Sequence, residues 1–121
     1  MERRTHYRAR VAIRVDWSET PACVYHGRVT SLSARGCFIQ TDMGVPKGSP
    51  VFIRFMEAPE SLKVLTGVIH GRVVYHLERV GLGVEFARLK DGDARDLQDL
   101  TDFYRRSDDD AVPSRPLVSG N

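Results

Sequence analysis

The chain has 121 residues, 41% of them hydrophobic and 28% charged, with a formal net charge of +2; this length supports one domain with one modest core, and this balance lies far from that of a disordered chain. Two cysteines without CxxC spacing, and no secretory leader, exclude a disulfide framework and a zinc ribbon. No apolar run approaches the roughly 18 residues of a membrane-spanning helix, so membrane insertion is excluded and a cytoplasmic protein is expected.

Charge is unevenly distributed. The head carries Arg3, Arg4, Arg8, Arg10 and Arg14 against Glu2, whereas the stretch from Asp91 to Asp110 is rich in aspartate. From Ala9 to Trp17, Val11, Ile13, Val15 and Trp17 alternate with Ala12, Arg14 and Asp16, the period of a half-buried strand, which places Arg10 and Arg14 on its wet face. Ser18 to Pro21 end it, and CVYHGRVT (Cys23 to Thr30) supplies a second β-rich run. The stretch VTSLSARGCFI (Val29 to Ile39) then interrupts two apolar segments with two serines and a glycine, and GCFIQT begins a third strand at Gly36.

DMGVPKGSP (Asp42 to Pro50) holds two glycines and two prolines in nine residues and reads as a connection. VFIRFM (Val51 to Met56) is the next strand. KVLTGVIHGRVVYHL reads as one long curved strand or two short ones, with Gly67 and Gly71 where a strand bends, and GLGVEFARL (Gly81 to Leu89) as the last. The period then lengthens. In DARDLQDLTDFYRR, Ala94, Leu97, Leu100 and Phe103 or Tyr104 recur at helical spacing, Asp93 suits the start, and Arg105 and Arg106 suit the negative end. Residues 1–106 are thus expected to form one domain, with an N-terminal arginine segment and a C-terminal helix, and residues 107–121 a flexible polar tail. Five or six short strands with one helix favour an antiparallel barrel over an open sheet, because a small sheet must hide its edges.

Catalytic chemistry finds little support. His6, His26, His70 and His76 fit neither HExxH nor a zinc spacing, so no metal is expected. Ser31 and Ser33 lack the GxSxG frame, and Cys37 has the apolar neighbours of a buried, inert thiol. Glu57, Glu60, Glu78 and Glu85 are scattered over turns and strand surfaces and read as solvated charge. The expectation is a protein that is not an enzyme. Arg4 and Arg8 are more informative: in an extended chain they point the same way about 13 Å apart, and two guanidiniums so placed grip phosphates or stack on planar rings. Ser31 and Ser33 offer hydroxyls, and Gly36 offers backbone freedom and room. Such a loop is also what a plain turn contains.

In combination these motifs resemble those of the PilZ domain, a bacterial receptor for cyclic di-GMP. Arg4-Thr-His-Tyr-Arg8 fits RxxxR, Ser31-Leu-Ser-Ala-Arg-Gly36 fits the frame of [D/N]xSxxG, and VPKGSPVFIRF, LTGVIHGRVVYH and GLGVEFARL follow in the family's order, so the resemblance runs from about Arg3 to Arg106. It implies a six-stranded antiparallel barrel with a C-terminal α-helix, and the second messenger cyclic di-GMP as ligand, with no cofactor. Arg4 and Arg8 would bind its phosphates and stack on guanine, Arg3 would assist, Ser33 would hydrogen-bond the ligand, and Gly36 would leave space for it. Ser31 departs from the pattern: the family has an acid or amide there to read guanine's edge, and a hydroxyl offers one oxygen on a shorter arm.

The resulting expectation is a cytoplasmic sensor. Cyclic di-GMP orders the N-terminal arginine segment on the barrel, and the changed surface is read by an effector protein, because the chain shows no output domain of its own. Two rivals stay open. A ligand-independent adaptor is favoured by Ser31 and opposed by the arginines; a nucleic-acid-binding barrel is disfavoured by a net charge of only +2 and an acidic helix.

Overall fold

A computed structural model describes residues 8–59 and 67–111, with side chains to Arg106. Six strands and one helix follow one another: β1 (Ala9–Ser18), β2 (Tyr25–Leu32), β3 (Gly36–Gln40), β4 (Pro50–Phe55), β5 (Ile69–Leu77), β6 (Gly81–Phe86) and α1 (Asp91–Ala111). The strands close into a barrel in the order β1-β2-β3-β6-β5-β4, and every neighbouring pair is antiparallel, including β4 with β1 at the seam. This is the architecture that the strand count and the family resemblance imply.

Alternation builds the interior. In β1, Ala9, Ile13, Val15 and Trp17 are buried while Arg10, Ala12 and Arg14 are exposed. Ile13, Val15 and Trp17 meet Val29, Leu32, Ile39, Ile53, Ile69, Val73 and Leu82 from the other strands in one cluster, and each of its aliphatic side chains contributes about 1.5–3 kcal/mol on burial. Trp17 is the largest fully buried residue, edge-on to its cross-strand partner Tyr25 at 5.2 Å between ring centroids. The connection from Asp42 forms no strand until Pro50 opens β4, as its glycines and prolines predict, yet Val45 is buried, and Gly48 N–H donates to the Val73 carbonyl at 2.7 Å.

The helix packs against β1, with Leu97 and Leu100 in the core cluster. Its limits differ from the sequence reading. Ala94 N–H donates to the Lys90 carbonyl at 2.9 Å, so Lys90 is the cap position, and Asp91 and Asp93 lie in the first turn, where their charge favours the positive end of the dipole. At the other end α1 runs to Ala111, past Arg105 and Arg106, because neither glycine nor proline intervenes before Pro113. Of the KVLTGVIHGRVVYHL reading, only the part from Gly67 onward falls on described residues, and there β5 begins at Ile69.

Candidate functional site

Where β1 begins, Arg8 extends over the face of β2. Ala9 pairs with Leu32 and Arg10 with Ser31, so Arg8, Arg10 and Ser31 share the outer face of the barrel. Arg8 Nη1 donates to Ser31 Oγ at 3.1 Å, and the Arg8 side chain is exposed. Ser31 itself belongs to β2, and the turn proper comprises only Ser33 to Arg35.

Ser33 fixes that turn. Its hydroxyl accepts from Arg35 N–H at 3.1 Å and Gly36 N–H at 3.2 Å and donates to the Gly36 carbonyl at 3.4 Å, while Ser33 N–H donates to the same carbonyl at 2.9 Å. Such a self-bonded serine replaces a backbone turn bond and is 97% removed from solvent, with 3% exposure. Gly36 is required for a different reason than backbone freedom. Gly48 is the positive-φ glycine of the described residues; at Gly36 a Cβ would collide with the Val84 carbonyl oxygen, so glycine is what lets β3 lie this close to β6.

Arg8, Ser33 and Gly36 converge on one groove of about 180 Å³, completed by Arg35, Val74, Val84 and Glu85. Val74 joins because β5 bulges there: Val73 pairs with Val84 and Tyr75 with Gly83, leaving Val74 as the extra residue. The Phe38 and Tyr75 rings lie 6.1 Å apart with their planes at 29°, and the Tyr75 ring occupies the space a Cβ on Gly83 would need. Burial pushes the Cys37 thiol up to about 12, an effect the nearby Arg8 charge partly offsets. Cys37 is therefore a protonated core residue, and Cys23 is also buried with its thiol raised by burial.

Larger cavities are also present, and the first of them shares Glu85 with this groove. One of about 430 Å³ sits over β4, β5 and β6 beside His70, Arg72 and Arg88, and one of about 630 Å³ beside His26, Asp42 and Arg79. Volume alone does not select between them; the smaller groove stands out because it gathers Arg8 of one sequence motif with Ser33 and Gly36 of the other. Arg3 and Arg4 lie outside the described residues. Arg35, Val74, Arg72 and Glu85 were not singled out by sequence as site residues, since their placement depends on which strands become neighbours. Among the described residues no cluster of three or more His, Cys, Asp or Glu could hold a metal, and no helix is long and apolar enough to cross a membrane.

The family model described as PilZ domain matches residues 2–103. The chain belongs to the PilZ domain family. No curated protein matches it significantly in sequence. Among solved structures it is similar to the Bacillus subtilis inhibitor of motility (MotI/DgrA), with 18% identity and a TM-score of 0.69 over 91% of this chain and 53% of that one, so the chain spans about half the length of that protein. It is also similar to the PilZ domain with c-di-GMP of YcgR from Escherichia coli, with 14% identity and a TM-score of 0.68 over 94% of this chain and all of that one. At these identities the likeness carries the PilZ fold, while the site rests on the residues of this chain.

Proposed function

We propose that this PilZ protein is a cyclic di-GMP receptor that acts as an adaptor: the ligand draws the N-terminal arginine segment onto the groove, and an effector protein reads the surface so formed. The observation that carries the reading is the convergence of Arg8, Ser33 and Gly36 on one groove, with Arg8 bonded to Ser31 at its edge. A groove of about 180 Å³ is smaller than the roughly 300–1,000 Å³ of a complete small-molecule site. It suits one part of the ligand, with Arg4 and Arg3 supplying further phosphate contacts from the segment ahead of Arg8. Guanidiniums provide charge-assisted, forked donors for phosphate and a flat face for a purine. Ordering the segment costs backbone entropy, which these contacts offset, and binding thereby couples to a change of shape. Ser33 serves by holding the turn and Gly36 by keeping the groove floor low. The PilZ domain of YcgR, whose structure contains c-di-GMP, supports this ligand class.

One observation favours the rival adaptor without ligand: Ser33's hydroxyl is already committed within its own turn, and Ser31 supplies a single oxygen where the family motif has an acid or amide. Calorimetric titration with cyclic di-GMP, followed by amide shifts at Arg8 and Ser33, separates the two. Heat and localised shifts at submillimolar ligand support the receptor; neither at that concentration removes it.

A further inference from the structure

Glu85 is the one carboxylate lining the Arg8 groove among the described residues. In register it stands between Gly36 of β3 and Arg72 of β5, and because its neighbours Val84 and Phe86 are buried, its side chain points out of the barrel. Gly36 carries no side chain, so on the β3 side Glu85 has no cross-strand side-chain neighbour, and it lines the same groove as Arg8. Arg72 Nη2 donates to Glu85 Oε1 at 3.1 Å, and the two side chains are 61% and 45% exposed. Pairs this exposed are weak, so Arg72 orients the carboxylate and balances its charge without committing it. Oε2 makes no hydrogen bond among the described residues.

A lone carboxylate in a phosphate-binding groove would repel its ligand. Here Arg8 and Arg72 outnumber the one carboxylate, and what remains is an acceptor with two oxygens at the rim of a ring-sized space. Guanine presents N1–H and N2–H side by side, a pair of donors that a carboxylate accepts together and a hydroxyl does not. Adenine and hypoxanthine lack that pair. Building on the receptor reading above, we infer that Glu85 recognises the guanine edge of the bound ligand, supplying from β6 the carboxylate that position 31 lacks in this chain, with Arg72 as its positioning residue.

The test is calorimetric titration of the full chain and of Glu85→Gln with cyclic di-GMP and with its inosine analogue, which lacks the 2-amino group. The wild type should prefer the guanine ligand by about tenfold or more, and Glu85→Gln should lose about tenfold to a hundredfold in affinity for it together with most of that preference, at an unchanged melting temperature. A solvated surface charge would not alter the ratio between the two ligands. If the wild type binds cyclic di-GMP and Glu85→Gln matches it in affinity and preference, the assignment of Glu85 is overturned while the receptor reading stands. If the wild type binds neither ligand, both fall.

Discussion

Arg8 and Ser31, 23 residues apart in the chain, are joined by a hydrogen bond of 3.1 Å from the guanidinium to a neutral hydroxyl at the surface of the barrel. An acid at position 31 would turn this contact into an ion pair; with a hydroxyl there, the guanidinium is oriented while its charge stays available to an anion. Ser31→Asp changes both sides of the balance. It adds a carboxylate for the second of the ligand's two guanine edges, beside the one assigned to Glu85, worth about 1–3 kcal/mol in comparable base contacts, and it competes for Arg8 by at most about 1 kcal/mol, as exposed pairs do. The expected net result is a threefold to tenfold tightening for cyclic di-GMP by calorimetry. Unchanged affinity would mean that no guanine edge is read at this position.

Arg8→Ala should remove most ligand binding and leave the fold in place, because the side chain is exposed and outside the core. Its melting temperature should stay within about 3 °C of the wild type, the range of a surface change. A collapse of the melting temperature would show that Arg8 supports the barrel instead of the ligand.

The turn can be tested separately from the ligand. Gly36→Ala forces a methyl group against the Val84 carbonyl, and since the obstacle is backbone, the strands must separate. A loss of about 2–4 kcal/mol is expected in urea denaturation. Ser33→Ala leaves the N–H groups of Arg35 and Gly36 without their acceptor and should cost about 1–3 kcal/mol. Wild-type midpoints in both variants would contradict the close approach and the serine-fixed turn.

Cys37 makes stability fall at alkaline pH. Its thiol is raised from 9.0 to about 12 in the folded state, so between these values the folded protein holds a proton that the unfolded chain has released. Its contribution is complete below pH 9 and is lost as pH rises toward 12, with a slope approaching about 1.4 kcal/mol per pH unit. Burial also raises the Cys23 thiol and the Tyr104 phenol, so they act in the same direction. Cys37→Ala should remove the Cys37 share of the slope in denaturation measured from pH 8 to 11; an unaltered slope would show that the thiol ionises freely in the fold.

Much of this architecture is legible in the sequence because alternation is a local signal. Ile13, Val15 and Trp17 against Arg10 and Arg14 identify β1 and its faces, and the spacing of Leu97, Leu100 and Tyr104 identifies the helix. Less legible is whatever depends on a partner distant in sequence. Gly36 reads as a turn glycine, yet its constraint comes from Val84, a neighbour only once β3 lies against β6. Glu85 reads as solvated charge for the same reason: nothing local tells that it will stand opposite Gly36 and beside Arg8. Helix limits escape for another cause, since Lys90 caps through its backbone carbonyl, which leaves no mark in residue type.

The closed barrel also restricts how a second protein can recognise this one. Each of the six described strands already has a hydrogen-bonded neighbour on both sides over at least part of its length, so along those stretches no row of unsatisfied amides and carbonyls is offered for an incoming strand to zip onto. Recognition by strand addition is thus closed along the paired stretches of the described barrel, and contacts there must be made to side chains projecting from the outer wall. A signal of that kind is written in the arrangement of surface groups, which is what the proposed ligand, held under a basic arm, would rearrange.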